Sequence, residues 1–186
     1  MKTAPNLVLV GPMGAGKTSI GRRLAGRFGL AFVDVDREIE ARTGASVATI
    51  FTHEGEPGFR ARERAVLAGL LAREGLLVAT GGGAVLDPDN RRRMRGRGFV
   101  LHLHVGVERQ LQRLARDRSR PLLAGDDREA VLRRLAGERA PLYEEVADLR
   151  VDTDALSPPQ ACALITRLLV RRWRQGTSTA EGERVA

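Results

Sequence analysis

Leu7-Val8-Leu9-Val10-Gly11-Pro12-Met13-Gly14-Ala15-Gly16-Lys17-Thr18 is the stretch on which the fold turns. Its first four residues form a continuous apolar run, the pattern of a strand covered on both faces. The next eight match G-x-x-x-x-G-K-[ST], and a helical pattern follows over 18–28, so the strand–loop–helix setting that this motif needs is present. At ordinary residue frequencies the motif arises by accident in roughly one chain of this length in a hundred, and the setting makes an accident rarer. The residue types follow from the chemistry. Glycines let successive backbone N–H groups turn inward around phosphate oxygens at the positive end of a helix. Lys17 would reach the β- and γ-phosphates of a nucleotide, and the Thr18 hydroxyl would bind Mg²⁺.

Outward from this loop, short β-rich runs at 6–10, 31–34, 76–80, 99–105 and 148–152 alternate with helical patterns at 17–28, 59–73, 89–95 and 107–116. That alternation predicts an α/β, doubly wound sheet of about five parallel strands. A polar, Arg-rich segment at 117–127, with Pro121 and Gly125, reads as a mobile lid, because loops of that length in a small domain commonly carry function. Helical patterns resume at 128–146 and 159–174. The expected organisation is one domain over 1–174 and a disordered basic tail over 175–186.

A phosphate loop identifies the donor and not the acceptor. Asp34 and Asp36 lie two apart at the end of the second strand, so both carboxylates should leave the same edge of the sheet. One can hold Mg²⁺ through water and the other can orient or deprotonate a hydroxyl; the alternative is that Asp36 merely caps the next helix. On the helix expected from Phe59, the residues Phe59, Val66, Leu67 and Leu70 form an apolar stripe with Glu63 at its centre. A buried carboxylate needs a cation, and Arg60 stands three residues away. A guanidinium held in this way can grip a substrate carboxylate, or the two can form a purely structural pair. Arg62 and Arg64 read as solvated. Gly81-Gly82-Gly83 leaves bare backbone for a ligand to approach, or is a plain turn. Arg120 in the lid and Arg139 beyond it are two further guanidiniums placed to meet anions.

Composition narrows the partners. The 186 residues carry 31 basic and 23 acidic side chains, a net charge of +8. Such a balance suits nucleic acid or small anionic substrates, but one Trp, one Tyr and five Phe leave few platforms for base stacking. The run from Arg91 to Arg97 reads as the solvated last turn of a helix. Only Lys2 and Lys17 among the basic residues are lysines, which marks position 17 as needing a compact ammonium rather than a planar fork. Cys162 is the single cysteine, so no disulfide framework or cysteine-rich zinc site is expected. His102 and His104 would share a strand face, half a metal site at most. No secretory signal or membrane span is evident, and a cytoplasmic location is expected.

These residues together resemble the shikimate kinase family. The resemblance runs over 7–158 and is carried, in order, by GPMGAGKTSIGRRLA, DVD, GEPGFR followed by Glu63, TGGGAV, RPLLAG, RAPLY and VDT. It implies a P-loop fold of the nucleoside-monophosphate-kinase type with a lid, and the conversion of shikimate and ATP to shikimate 3-phosphate and ADP with Mg²⁺. It assigns ATP contacts to Gly14, Ala15, Gly16, Lys17, Thr18, Ser19, Arg113, Arg120 and Pro158. Asp36, Arg60, Glu63, Gly81, Gly82, Gly83 and Arg139 would bind the acceptor, with Asp36 as base and Asp36, Lys17 and Arg120 as the catalytic set. Thr18 and Asp34 would manage the metal. Arg113 would stack on adenine; where some relatives place a second arginine opposite it, this chain has Leu156. A monomer acting on shikimate, without nucleic acid or membrane, is expected. A kinase for another metabolite such as gluconate, and a non-catalytic nucleotide-binding protein, are the competing readings.

Overall fold

A computed structural model describes residues 1–115, 121–123 and 127–176. Five parallel strands form the central sheet: β2 (Asn6–Val10), β3 (Ala31–Asp34), β4 (Leu76–Ala79), β5 (Gly98–His104) and β6 (Leu149–Asp152), in the order β3-β4-β2-β5-β6. Strand alternation divides the core in two. Leu7, Leu9, Phe99, Leu101 and Leu103 face one side, against Leu24 and Ala25 of α1 (Lys17–Phe28) and Ile165 and Leu169 of α7 (Pro158–Arg172). Val8, Val10, Val78 and Val100 face the other side. There they meet α2 (Val35–Thr43), α3 (Val47–Leu71), α4 (Pro88–Arg97) and α6 (Arg128–Val146), the last through Tyr143 and Val146. Helix α5 (Val107–Leu114) follows β5. The apolar runs seen in the sequence are thus strands covered on both faces, and each fully buried Leu or Val contributes about 1.5–3 kcal/mol.

The connection after β2 runs to one edge of the sheet and the connection after β5 to the other. Such a reversal opens a crevice at the carboxyl ends of the strands. The loop 11–16 sits there, directly after β2.

Several boundaries differ from the sequence expectation. Helix α2 has no counterpart in the expected elements, because its nine residues contain only two buried apolar positions, Val35 and Ile39. Helix α3 begins twelve residues before Phe59 and bends at Gly55, whose φ of 68° and ψ of −177° are not helical; Pro57 just beyond tolerates the bend because its missing N–H falls at a new first turn. A second, two-stranded sheet pairs β1 (Lys2–Ala4) with β7 (Trp173–Gln175) in parallel. Gln175, expected in the unstructured tail, pairs with Ala4, and the indole of Trp173 donates to the Ala4 carbonyl at 3.0 Å. Of the expected lid, Pro121–Leu123 form a 3-10 turn and Asp127 caps α6; its other residues, Arg120 among them, lie outside the described residues, as does the tail from residue 177.

Candidate active site

The loop 11–16 is shaped by what surrounds it. Gly11 has φ 138°, and a Cβ there would run into the Leu103 carbonyl of β5, so only glycine lets the loop lie against the sheet. Gly16 closes the loop at φ 89° and precedes α1, which has no side-chain cap. Its first backbone N–H groups are therefore directed to whatever occupies the loop. Lys17 Nζ donates to the carbonyls of Gly11 at 2.6 Å and Pro12 at 2.8 Å, holding the ammonium over the loop. Ser19 Oγ donates to the Gly16 carbonyl at 3.1 Å, and Ala15 is buried.

Asp34 and Asp36 reach this edge by a different route from the one expected. The strand ends at Asp34, and Asp36 lies in the first turn of α2. The cap is Asp34: its Oδ1 accepts from the backbone N–H of Asp36 at 3.2 Å and of Arg37 at 3.4 Å. Its other oxygen, Oδ2, accepts from Thr18 Oγ1 at 2.7 Å. Asp34 is therefore the cap of α2, against the alternative that Asp36 caps the helix itself.

The residues expected on the acceptor side converge. Glu63 is fully buried, and its Oε2 accepts from Arg60 Nη1 at 2.7 Å. Arg60 also donates to Glu56 Oε1 from Nε at 3.1 Å and from Nη2 at 2.8 Å, a second partner that the apolar stripe did not reveal. A Cβ on Gly83 would overlap the Arg60 guanidinium, and one on Gly81 would overlap Glu63 Oε1 and lie 3.1 Å from Asp36 Oδ1. At Gly82 the same position is 3.6 Å from Arg139 Nη1, 3.6 Å from the Met13 nitrogen and 3.7 Å from the Gly11 carbonyl. The triple glycine is thus the seam between the phosphate loop and the charged groups. Arg139 is buried on α6, one turn before Tyr143, whose hydroxyl donates to the Gly82 carbonyl. Tyr143 has no role expected from the sequence, where RAPLY is its only signal.

Burial governs the charge states here. Desolvation raises the Glu63 pKa above the usual carboxylate range against the pull of Arg60, and Asp36 raises it further. Desolvation likewise pushes the Tyr143 phenol up to about 12. For Arg60, Glu63 and Glu56 outweigh a desolvation that works the other way, and its pKa is raised.

The residues expected on the adenine side are held by named contacts. Arg113 donates from Nη1 to the Gly14 carbonyl at 2.9 Å and to Thr153 Oγ1 at 3.2 Å, and from Nη2 to the Thr153 carbonyl at 2.5 Å. Pro158 opens α7 at the surface, while Leu156 packs against the core. Of the arginines expected to be solvated, Arg62 is exposed yet bonds both oxygens of Glu54, and Arg91 and Arg97 tie α4 to backbone carbonyls of Val85 and Leu71. His102 and His104 do share a face, with rings 5.9 Å apart. Among the described residues no group of three or more His, Cys, Asp and Glu is arranged to hold a metal.

The sequence profile of the shikimate kinase family matches residues 13–170, most of the chain. The chain belongs to that family. The shikimate kinase of Xanthomonas oryzae pv. oryzae is 56% identical over 180 residues, which span 97% of this chain and 100% of that protein. The shikimate kinase of Stenotrophomonas maltophilia is 57% identical over 180 residues with the same coverage. Among solved structures, shikimate kinase from Acinetobacter baumannii in complex with shikimate superimposes with a TM-score of 0.88 at 47% identity, covering 90% of this chain and 94% of that one. The five-stranded parallel sheet and its phosphate loop are therefore the shikimate kinase fold, and the seam at Gly81–Gly83 is the part of that fold where its charged groups gather.

Proposed function

We propose that this chain is an ATP-dependent kinase that phosphorylates the 3-hydroxyl of shikimate, giving shikimate 3-phosphate and ADP. The observation that carries this reading is the seam at Gly82, where phosphate loop, buried Arg139 and the Asp36–Glu63–Arg60 group meet within a few ångströms. A donor cradle and a carboxylate-gripping acceptor site share one wall there, as direct transfer between two bound substrates requires.

The roles follow from position. Arg60, steadied by Glu63 and Glu56, and the buried Arg139 grip the acceptor carboxylate. The bare backbone of Gly81, Gly82 and Gly83 lets the ring lie close. Asp36 accepts the proton of the attacking hydroxyl as its oxygen bonds to the γ-phosphorus and the bond to the ADP oxygen breaks. Backbone N–H groups of Gly14, Ala15 and Gly16, with Lys17 and Ser19, hold the phosphates and offset their growing charge. Arg120, outside the described residues, takes the transferring phosphoryl group by the family resemblance alone. Pro158, which opens α7, contacts the adenine by the family resemblance alone.

Thr18 Oγ1 and Asp34 Oδ2 supply hard oxygen donors 2.7 Å apart beside the phosphate loop. That set suits Mg²⁺, which keeps most of its waters and takes few protein ligands besides phosphate oxygens. When bound there, Mg²⁺ would neutralise phosphate charge. We also read the chain as a cytoplasmic monomer acting without nucleic acid or membrane; no helix among the described residues is long and apolar enough to cross a membrane. The test is ADP release with Mg·ATP and, separately, shikimate, gluconate, AMP, single-stranded nucleic acid or no acceptor. Release with shikimate alone supports the reading; release with gluconate instead keeps the mechanism and removes the substrate, and release stimulated only by nucleic acid removes both.

A further inference from the structure

The outer turn of the phosphate loop, Met13-Gly14-Ala15, is held from a side that no acceptor or phosphate role explains. Two separate elements converge on it, and a third backs them. From α5, Arg113 reaches the Gly14 carbonyl at 2.9 Å, and Leu114 packs within 3.4 Å of where a Gly14 Cβ would stand. From the end of β6, the buried Thr153 accepts from Arg113 at its Oγ1 and again at its carbonyl. The Thr153 hydroxyl is 2.9 Å from the His104 carbonyl and 3.4 Å from the Ala15 carbonyl, and its backbone N–H donates to the same His104 carbonyl at 2.9 Å. The hydroxyl has one proton to give, and the shorter contact to His104 anchors it to β5, while its lone pairs receive the guanidinium.

The result is a strut. It runs from the carboxyl end of β5, through Thr153 and the guanidinium of Arg113, to the peptide carbonyl of Gly14. That carbonyl belongs to the peptide unit whose N–H, on Ala15, closes the turn onto the Pro12 carbonyl at 3.3 Å. Because a peptide unit is planar and rigid, fixing its carbonyl fixes the direction of its N–H. Three donor contacts from one planar guanidinium fix orientation as well as distance.

We infer that Arg113 and Thr153 are positioning residues of the phosphate cradle: they hold the turn from Pro12 to Ala15 that shapes it, and this action does not depend on any contact between Arg113 and a nucleobase. The inference rests on the reading of loop 11–16 as a triphosphate site. It makes a claim that base stacking does not, since it predicts a role with a ligand that has no base.

The experiment measures binding of Mg·ATP and of inorganic Mg·tripolyphosphate by titration calorimetry to the wild-type chain, Arg113→Met, Thr153→Val and Thr153→Ser, with thermal unfolding of each. Arg113→Met keeps the stem and removes the fork, and Thr153→Val keeps the shape and removes the hydroxyl. A hydrogen bond to a charged group is worth enough that each loss should weaken both ligands by about tenfold or more, while Thr153→Ser stays within about threefold of wild type. KM for the acceptor should hold, which a general loosening of the fold would not produce. Loss of ATP affinity in Arg113→Met with unchanged tripolyphosphate affinity would assign the residue to the base and overturn the inference. Wild-type binding of ATP without tripolyphosphate would also overturn it. Failure of the wild type to bind either ligand would remove the phosphate-site reading itself. Should Thr153→Val not fold, Arg113→Met, whose side chain is only partly buried, decides the matter on the same two ligands.

Discussion

Arg60 and Glu63 form a buried ion pair, with Nη1 2.7 Å from Oε2 and the carboxylate wholly out of solvent. Its two ends are unequal. Arg60 has Glu56 as a second partner and keeps 19% of its side chain exposed. The Oε1 of Glu63 lies buried against Gly81 with no hydrogen-bond partner among the described residues. The pair is therefore a device for presenting a cation: the acid is hidden, and the base retains an open side.

Replacing Arg60 by Ala should do two things. Acceptor KM rises by about tenfold or more while KM for ATP stays close to wild type. Stability falls by about 3 kcal/mol, because a buried charge loses its counter-ion. Steady-state kinetics and denaturant unfolding check these separately, and an unchanged acceptor KM would remove Arg60 from the substrate site.

Asp36→Asn keeps the shape of the side chain and removes its basicity. Turnover should drop by about 10²–10⁴-fold, with ATP affinity nearly intact because Asp34, not Asp36, caps α2 and meets Thr18. Equal loss of nucleotide binding in titrations would contradict the assignment of Asp36 to the acceptor.

Gly83→Ala needs no unusual backbone, since φ is −99° at that position. The added methyl would still overlap the Arg60 guanidinium. Acceptor KM should rise with little change in ATP KM, and a variant with wild-type acceptor KM would show that Arg60 is free to move.

Asp34→Asn retains an oxygen for the helix cap and removes the charge beside Thr18. The Mg²⁺ concentration for half-maximal activity should rise by about 10–100-fold, as when an outer-shell carboxylate is lost. An unaltered Mg²⁺ dependence would exclude Asp34 from the metal's surroundings.

His102 supplies a stability signal outside the chemistry. It is buried on β5 with its ring centroid 5.0 Å from that of Tyr143, and desolvation lowers its pKa to about 4, against the upward pull of Glu144 and aided by His104 and Arg150. A His whose native pKa is depressed binds its proton more readily when unfolded. Its contribution is fully present above about 6.5 and is lost as pH falls toward about 4. Glu63, raised in the native state, works in the opposite direction in acid. The difference in unfolding free energy between wild type and His102→Phe, followed from pH 7 to about pH 4, isolates the histidine; a flat difference would show that His102 titrates alike in both states.

The legible part of the fold was the part written in period. Leu7–Val10 and the alternation of strands with helices gave the sheet, and the spacing of Phe59, Val66, Leu67 and Leu70 put Glu63 at a buried centre with Arg60 beside it. Helix α2 and the first half of α3 were illegible because their apolar stripes are thin and Gly55 with Pro57 looks like a terminus. The pairing of Lys2–Ala4 with Trp173–Gln175 joins segments about 170 residues apart, and three-residue strands carry too little pattern to be seen.

The sequence by itself determined the donor chemistry and the kind of acceptor, because both are local. A phosphate cradle is a run of eight residues, and an ion pair at i and i+3 lies on one turn of helix. What only the tertiary structure decided is who meets whom. It made Asp34 the cap in place of Asp36, set the Tyr143 hydroxyl on the Gly82 carbonyl, turned Leu156 into the core and bound Arg113 to Gly14 and Thr153. The Tyr143 and Arg113 contacts depend on distances between residues from about 40 to about 100 positions apart in the chain. Such distances are set by strand order and packing, which no local pattern of residues contains.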